Sequence, residues 1–444
     1  MDTKYIPVIG LEIHVELKTE SGMFCQCKIN QFEAHPNSHV CPVCLGLPGA
    51  LPVANKKAIE WTIKIGQALH CTINRHTKFD RKHYSYPDLP KGYQISQYDK
   101  PIAISGHLDF EKKSFRIHRV HLEEDTGKLI HRGNDTFIDF NRSGTPLVEI
   151  VTEPDFESSE DVKMFLEELH TIIRYLDVSD ADMEKGTMRM EPNISVKRVT
   201  CNADRFDGKL PNYKVEVKNI NSFNFVKRAI DFEVKRHIDL LEQGKTPVQE
   251  TRGWNSEKNV TYSQRIKEEA HDYRYFPEPD IPPFTFSEEY LENIAKSVPE
   301  LPMQRVKRYE KMGIKHSDAY ILTRSKELCY YFETVLAEAK KESKELAIEQ
   351  KIASIIINKR ISSTISSKEF VMKFLELTKP VETDITLLNS IVTSTLDANS
   401  KVVTEYKSGK QTVIMFLVGQ VMKQMKGKAD ASIVRKALER KMIE

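Results

Sequence analysis

The sequence predicts an α+β protein in which a sheet with one polar face is followed by a long helical region. The sheet is predicted because residues 8–17, 188–196 and 213–220 alternate apolar and polar side chains, the period of a half-buried strand. Each segment has one apolar face and one face of carboxylates, amides or cations, which indicates helices packed on one side only. The helical region is predicted because strand patterns end after the prolines between Glu278 and Pro302.

The first of these strands, residues 8–17, places three polar side chains on one face. Glu12, His14 and Glu16 lie there at two-residue spacing. Two carboxylates flanking an imidazole offer oxygen and nitrogen donors that suit a divalent cation which also holds phosphate oxygens. The polar outer face of an ordinary sheet is the alternative interpretation.

Four of the seven cysteines follow as two close pairs, Cys25 with Cys27 and Cys41 with Cys44. Two thiolate pairs joined by a short loop can close a tetrahedral Zn²⁺ site with a structural role. The intervening loop contains two histidines that could replace a cysteine, and two pairs of reduced cysteines are the alternative. In either case the odd cysteine number indicates a reducing cytoplasm.

Helical patterns lie between the predicted strands. A helix is expected over about residues 55–70, a second begins at the capping residues Ser158 and Asp161, and a third covers about residues 223–243. A further strand at 147–152 carries Glu149. These helices are the candidates for the layer behind the sheet.

The stretch 79–98 is predicted to be irregular, because turn signals interrupt it and it is dense in tyrosine, lysine and arginine. Aromatic rings mixed with cations can hold a nucleotide base and phosphates. Lys82 is the candidate for phosphate contact. A packed surface loop explains the same composition.

Adjacent acids end the segment 117–125, which reads IHRVHLEED. Such a run costs repulsion unless a cation neutralises it, so Glu123 and Glu124 are the second candidate half of a metal site. A solvated turn is the alternative. Weaker candidates for the same polar surface, as part of a nucleotide site, are Glu191, Asn193, Glu216 and Lys218.

The chain as a whole has 444 residues and a net charge of +2, so several domains are expected without a global electrostatic preference. No apolar run is long enough to cross a membrane, and the early first strand leaves no room for a targeting peptide. Residues 401–444 hold ten Lys or Arg against four Asp or Glu. This basic tail fits an acidic partner or nucleic acid, or else a solvated surface.

Several long strings resemble one known family across essentially the full length. They are VIGLEIHVEL at 8–17, CPVCLGLPGALPV at 41–53, YPDLPKGYQISQYD at 86–99, HLEEDTGK at 121–128, DFNRSGTPLVEIVTEPD at 139–155, VEVKNINSFNFVKRAI at 215–230, EEAHDYRYFPEPD at 268–280 and FLVGQVMKQMKGKA at 416–429. The chain resembles the B subunits of aspartyl/glutamyl-tRNA amidotransferases.

The resemblance implies an antiparallel-sheet cradle domain over 1–290, a helical domain over 291–380 and a helical tail over 381–444 that engages tRNA. It implies a cytoplasmic ligase that uses ATP to phosphorylate the side-chain carboxylate of mischarged Glu-tRNA(Gln) or Asp-tRNA(Asn). Ammonia from a glutaminase then gives the amide. The implied partners are an amidase-type A subunit and a small C subunit, in a heterotrimer.

Specific site residues follow from the same resemblance. Glu12, His14 and one or both of Glu123 and Glu124 correspond to Mg²⁺ ligands, and the two cysteine pairs match the family members that bind zinc. The archaeal E-type relative carries an inserted synthetase-like domain, for which this chain has no space between Thr152 and the proline-rich segment. A non-catalytic, zinc-containing tRNA-binding scaffold is the second alternative, which the acid-rich polar face disfavours. The sequence leaves open which of the two tRNAs is served.

Overall fold

The computed structural model describes residues 4–110, 112–199, 208–266, 273–342, 347–378, 384–426 and 428–443. Contacts divide the chain into two compact units, Met1–Lys326 and Glu327–Glu444. The predicted division into 1–290, 291–380 and 381–444 stays a prediction, and its second boundary, between 380 and 381, falls within residues 379–383, which lie outside the described residues.

The N-terminal unit is built on a nine-stranded sheet in the order β14-β13-β12-β11-β1-β10-β7-β6-β2. These strands are β1 (Lys4–Glu16), β2 (Thr72–Ile73), β6 (Ala103–Phe110), β7 (Lys113–Glu124), β10 (Pro146–Thr152), β11 (Met188–Val199), β12 (Val215–Lys218), β13 (Glu250–Asn255) and β14 (Val260–Ile266). Every neighbouring pair is antiparallel except β12 and β13, which run parallel.

Shorter strands form three small sheets in the same unit. They are β3 (His76–Thr77) with β16 (Phe284–Thr285), β4 (Asp80–His83) with β5 (Tyr93–Ser96) and β15 (Phe276–Pro277), and β8 (Lys128–Arg132) with β9 (Asp135–Asp139). The predicted α+β class is therefore confirmed, with the sheet first and the helices concentrated towards the C-terminus.

Strand β1 lies in the middle of the large sheet, between β10 and β11. Its alternation is confirmed, because Ile9, Leu11, Ile13 and Val15 are at most 1% exposed while Glu12 and His14 lie on the other face. One hydrophobic cluster joins these four side chains to residues of three long helices. The apolar face of the sheet is thus the core of the unit.

Those three helices are Lys56–Ala68, Ser159–Leu176 and Phe223–Glu242, close to the predicted ranges. Each begins at a residue whose side chain accepts hydrogen bonds from backbone N–H groups of the first turn: Asn55, Ser158 and Ser222. These caps satisfy N–H groups that have no partner within the helix. They explain why sequence reasoning located the helix starts well.

Two segments differ from expectation. The stretch 79–98, predicted to be irregular, contains the paired strands β4 and β5, with Lys82 opposite Gln94. All four residues of β4 are polar, so the apolar–polar period that marks a strand is absent from the sequence there. Of the acids at the end of 117–125, Glu123 and Glu124 lie on β7 and Asp125 follows directly after it. All three are buried, which excludes the solvated turn.

The C-terminal unit is helical throughout its described residues. Its helices are Lys326–Glu342, which begins at the last residue of the first unit, Ile348–Ile357, Ser367–Thr378, Ile385–Ala398, Ser400–Lys407, Ile414–Gln424 and Ala431–Ile443. Side chains between Leu388 and Met442 form a hydrophobic cluster of their own. Within the described part of the chain, no helix is both long and apolar enough to span a bilayer.

Candidate active site

A cavity of about 780 Å³ covers the polar face of the large sheet. Strand β1 forms its floor with Glu12 and His14, and the flanking strands β7, β10, β11 and β12 add polar side chains. Strand register brings these residues together: His14 lies opposite Glu149, which lies opposite His121. The cavity therefore combines residues that are far apart in sequence.

The first group of possible metal ligands consists of His14, Glu123 and Glu149, whose ligand atoms lie within 4.8 Å of one another. The Nε2 atom of His14 is 3.4 Å from Oε2 of Glu149 and 3.7 Å from Oε1 of Glu123. His121 stands behind the two carboxylates, with its Nε2 atom 3.2 Å from Oε2 of Glu149. We name His14, Glu123 and Glu149 the histidine group.

Charge is densely packed in the histidine group. Burial opposes protonation of His14, but its hydrogen bond to Glu149 and the surrounding carboxylates raise its pKa to about 9. Burial likewise opposes ionisation of Glu149, yet His121 and His14 lower its pKa well below the usual range. With no cation bound, a proton on His14 would offset part of the negative charge of the carboxylates. A divalent cation in the group would take over that role and displace the proton.

The second group consists of Glu12, Glu191 and Glu216, again with ligand atoms within 4.8 Å of one another. We name it the carboxylate group. Burial, and after it the neighbouring carboxylates Glu149, Glu216 and Glu191, raise the pKa of Glu12. Three carboxylates supply only oxygen donors, the ligands that Mg²⁺ prefers.

Two polar side chains support the carboxylate group. Lys218 donates from Nζ to Oε2 of Glu191 at 2.9 Å and lies 3.4 Å from Oε1 of Glu216. Asn193 donates from Nδ2 to Oε1 of Glu12 at 3.1 Å. The four residues that the sequence indicated as weaker candidates thus all lie around Glu12. They are Glu191, Asn193, Glu216 and Lys218.

The structure does not bring the four predicted ligands Glu12, His14, Glu123 and Glu124 to one point. Glu12 and His14 share a strand face, but Glu12 is directed to β11 and β12, whereas His14 is directed to β7 and β10. Glu124 lies on the opposite face of β7 from Glu123, because successive side chains of a strand alternate. The predicted single ion site is corrected to two adjacent groups, neither of which contains Glu124.

Glu124 instead belongs to a buried ion pair. Nζ of Lys91 donates to its Oε2 atom at 2.6 Å, and the backbone N–H of Ile95 donates to Oε1 at 2.9 Å. Both side chains are less than 10% exposed. The pair connects β7 to β5 and the loop before it.

We expect Lys91→Met to lower the free energy of unfolding by about 3–5 kcal/mol, because it leaves the Glu124 carboxylate buried without its cation. Chemical denaturation followed by circular dichroism measures this loss. The double variant Lys91→Met/Glu124→Gln is the control and should recover most of the stability, since glutamine keeps an acceptor for Ile95. A loss below about 1 kcal/mol in the single variant would contradict this role.

The small sheet of β4, β5 and β15 forms a wall of the cavity. Lys82 points from β4 into the cavity, with its ammonium group 5.1 Å from the ring centre of Tyr273 and 6.0 Å from that of Tyr84. Burial disfavours the charge of Lys82, but Glu123 and Glu149 across the cavity raise its pKa. A buried cation facing carboxylates suits contact with a transferred phosphoryl group.

Sequence reasoning missed several residues of the cavity. Glu149 was noted on its strand but not assigned, although its position in the alternation of β10 was the available signal. His121, Tyr273 and Tyr275 gave no such signal, because the cavity gathers them from separate strands and loops. Asp125, the third adjacent acid, belongs to neither metal group and forms an ion pair with Arg189.

The four predicted zinc ligands do meet. The Sγ atoms of Cys25, Cys27, Cys41 and Cys44 lie within 4.8 Å of one another, and all four thiols are free. Those of Cys41 and Cys44 are 3.8 Å apart. Tetrahedral zinc with bonds of about 2.3 Å requires sulfur atoms roughly 3.8 Å apart. A hydrogen bond from Cys25 lowers the pKa of Cys44 to about 5, so the cluster favours a thiolate.

Two models of known protein families match this chain. The family model described as the GatB/GatE catalytic domain matches residues 7–292, and the one described as the GatB domain matches residues 326–442. The large sheet and its cavity thus lie in a catalytic domain of the amidotransferase class.

Individual proteins are similar in sequence to this chain over nearly its whole length. The chain is 42% identical to the B subunit of the aspartyl/glutamyl-tRNA(Asn/Gln) amidotransferase of Carboxydothermus hydrogenoformans, over 99% of both chains. The proteins of the same name from Thermotoga maritima and Persephonella marina are 42% and 43% identical, over 98% of this chain and 99% of theirs. The chain belongs to the family of aspartyl/glutamyl-tRNA(Asn/Gln) amidotransferase B subunits.

Proposed function

We propose that this chain activates and amidates the amino acid of a mischarged tRNA, Glu-tRNA(Gln), Asp-tRNA(Asn) or both, as one component of an amidotransferase. The observation that carries the proposal is the pair of adjacent acidic groups on the polar face of the sheet, bordered by Lys82 and Lys218. A phosphoryl group needs this environment, because its transfer depends on positioning and charge neutralisation.

The chemistry explains why ATP is required. A carboxylate is a poor acyl donor, because attack at its carbon would have to expel oxide. Its oxygen therefore first attacks the γ-phosphorus of ATP, and ADP leaves, which produces an acyl phosphate. Ammonia then attacks the carbonyl carbon, phosphate leaves with the C–O bond electrons, and the nitrogen loses a proton to give the amide.

The two acidic groups fit divalent cations, and we assign Mg²⁺ to the carboxylate group of Glu12, Glu191 and Glu216. The histidine group, with one nitrogen and two carboxylate donors, fits a second divalent ion. Bound cations would neutralise the phosphate oxygens of ATP. Lys82 faces the cavity from the opposite wall and Lys218 from the edge of the carboxylate group, so both can contact phosphate oxygens.

Zinc is assigned to Cys25, Cys27, Cys41 and Cys44. With four protein sulfur ligands no coordination position stays open, so the ion stabilises the loop and takes no part in the reaction. The spacing of the Sγ atoms supports this assignment.

Partners follow from the reaction and from the family. The nitrogen comes from an amidase-type A subunit with glutaminase activity, and a small C subunit completes a heterotrimer that works in the cytoplasm with the translation machinery. The subunit designation of the relatives supports an assembly of several chains.

The assembled complex tests the function directly. With mischarged tRNA, ATP and ammonium chloride, we expect ADP formation that depends on the tRNA, followed by conversion of Glu or Asp on the tRNA to its amide. Presenting Glu-tRNA(Gln) and Asp-tRNA(Asn) separately decides which is served. ATP hydrolysis that does not respond to mischarged tRNA would favour the alternative of a non-catalytic, zinc-containing tRNA-binding scaffold.

Deleting residues 381–444 should raise the KM for mischarged tRNA and flatten its dependence on salt. The basic tail would contribute phosphate contacts, and fewer contacts release fewer counterions. Steady-state kinetics at several salt concentrations measure both effects, with the rate at saturating tRNA as the internal control. Complete loss of amidation at saturating tRNA, in a truncated chain that stays folded, would show that the tail has a catalytic role instead.

A further inference from the structure

Arg119 contributes a further positive charge to the floor of the large cavity. It lies on β7 opposite Val151 of β10, and Val151 lies opposite Glu12 of β1. Its side chain shares the polar face of β7 with that of His121, which is two residues and about 7 Å further along the strand. Arg119 therefore lies next to the histidine group.

The guanidinium group of Arg119 forms no ion pair within the part of the chain that the structure describes. Its Nε atom is buried and has no hydrogen-bond partner among those residues. Two other cations of the cavity differ in this respect, because Arg189 pairs with Asp125 and Lys218 pairs with Glu191. A donor of a charged group that is buried without an acceptor costs free energy, so Arg119 indicates an anionic ligand.

Arg119 and Lys82 lie around the same tyrosine of the cavity wall. Burial raises the pKa of Tyr275 to about 12, while the positive charges of Lys82 and Arg119 act to lower it. Lys82 is suited to contact the transferred phosphoryl group, and the atom that attacks phosphorus has to be adjacent to that group. A second cation beside the same ring is therefore close to the attacking group of the substrate.

The substrate of the proposed reaction carries the anion that this guanidinium group lacks. Its reacting carboxylate brings another negative charge into a cavity that is already rich in carboxylates, so it needs a cation at contact distance. A guanidinium group donates two parallel N–H bonds that match a carboxylate, whereas an ammonium group acts as a point charge. The amide product is neutral and loses this charge-assisted bond, so the same contact distinguishes substrate from product.

We propose that Arg119 binds the side-chain carboxylate of the amino acid on the mischarged tRNA and thereby selects the acid over its amide. This inference rests on the proposed function and extends it, because it names the residue that recognises the reacting group. While one carboxylate oxygen attacks the γ-phosphorus of ATP and ADP leaves, Arg119 holds the other oxygen. When ammonia attacks the carbonyl carbon, an electron pair moves onto that oxygen and returns as phosphate leaves, so Arg119 stabilises the charge that develops in between.

Two substitutions separate the charge of Arg119 from its shape. Arg119→Met keeps a long, unbranched side chain and removes the charge, whereas Arg119→Lys keeps the charge and loses the forked geometry. Both variants should fold, because no carboxylate of the described residues relies on Arg119 as its ion-pair partner. Arg116→Met is the matched control on the same strand, since Arg116 is 68% exposed, pairs with Asp155 and does not line the cavity.

Equilibrium binding to the assembled complex, with Mg²⁺ and without ATP, measures the selection. The two ligands are the mischarged tRNA that the complex serves and its amidated product. The wild type should bind the mischarged tRNA roughly tenfold or more tightly, the range of a charge-assisted hydrogen bond. Arg119→Met should reduce this ratio to about one, Arg119→Lys should restore part of it, and Arg116→Met should leave it unchanged.

Turnover with ATP and ammonium chloride gives a second measurement. Arg119→Met should lower amidation at saturating tRNA by roughly two orders of magnitude, because the developing charge loses its donor. The KM for ATP should stay unchanged, since the proposed contact is to the amino acid. Arg119→Lys should lie between Arg119→Met and the wild type, a graded response that a purely structural role would not produce.

Three results would overturn the inference. The first is an unchanged ratio in folded Arg119→Met, which together with a raised KM for ATP would assign the guanidinium group to the triphosphate. The second is a wild type that binds the acid and the amide equally. The third is an equal weakening of uncharged tRNA, which would assign Arg119 to a tRNA phosphate. Failure of the proposed function is distinguishable, because the wild type would then form no ADP in response to mischarged tRNA, whereas the binding ratio is measured without turnover.

Discussion

Glu149→Gln is expected to lower ATP-dependent activation by roughly two or more orders of magnitude, the scale of losing a main electrostatic stabiliser of a transition state. Glu149 lies between His14 and His121 and completes the histidine group with Glu123. The substitution keeps the size of the side chain and removes its charge. A bound cation would lose one ligand. The buried imidazoles of His14 and His121 would lose the negative charge of the carboxylate beside them.

The measurement uses the assembled complex supplied with ammonium chloride, so that the glutaminase of the partner chain is bypassed. Glutaminase activity and tRNA affinity should change little, because Glu149 lies on the floor of the cavity. Glu257→Gln, an exposed glutamate in the turn between β13 and β14, is the control for a charge change outside the cavity. Amidation near the wild-type rate in folded Glu149→Gln would remove the histidine group from the reaction.

Cys41→Ser is expected to abolish stoichiometric zinc binding and to lower the free energy of unfolding by several kcal/mol. A structural zinc site contributes its binding free energy to folding, on the order of 10 kcal/mol in isolated peptides. The loop between the cysteine pairs has little core of its own, and large side chains such as Leu51 and Val53 are 63% and 75% exposed beside it. Without the metal the loop keeps its hydrogen bonds to residues 138–141 but loses the link between its two ends.

Metal analysis of the protein purified under reducing conditions measures the stoichiometry, and denaturation with and without a chelator measures the stability. Cys71→Ser, a cysteine outside the cluster, should retain zinc and serves as the control. Cys41→Ser should reduce the stability of the fold more strongly than it reduces the rate of phosphoryl transfer per folded molecule. A wild-type chain that binds no zinc, or a Cys41→Ser variant as stable as the wild type, would refute the structural assignment.

Local patterns in the sequence determined much of this protein. Alternation placed Glu12 and His14 on the polar face of β1 because adjacent side chains of a strand must leave it on opposite sides. The same rule holds for Glu191 and Asn193 on β11. The capping residue Ser158 located the start of one helix, because N–H groups without a partner in the helix require a nearby acceptor. The cysteine spacing predicted a cluster that the structure assembles.

Only the tertiary structure decided which of these residues work together. Strand order places β12 next to β11 and β7 next to β10, so Glu12 meets Glu191 and Glu216 while His14 meets Glu149. No local pattern contains that information, because strand neighbours are set by long-range packing and hydrogen bonding.

The acids of β7 differ although they are adjacent in sequence. Composition alone treats Glu123 and Glu124 as equivalent, yet one faces the cavity and the other pairs with Lys91. The phase of the strand distinguishes them, because the buried Val120 and Leu122 share a face with Glu124 and alternate with His121 and Glu123. Interpreting the acids as one run overlooked this alternation, and the pairing of Glu124 with Lys91 depends on the fold. The amino-acid sequence thus determined which side chains could bind cations and phosphate. The fold decided which of them belong to the histidine group and which to the carboxylate group, because only packing brings distant strands into register.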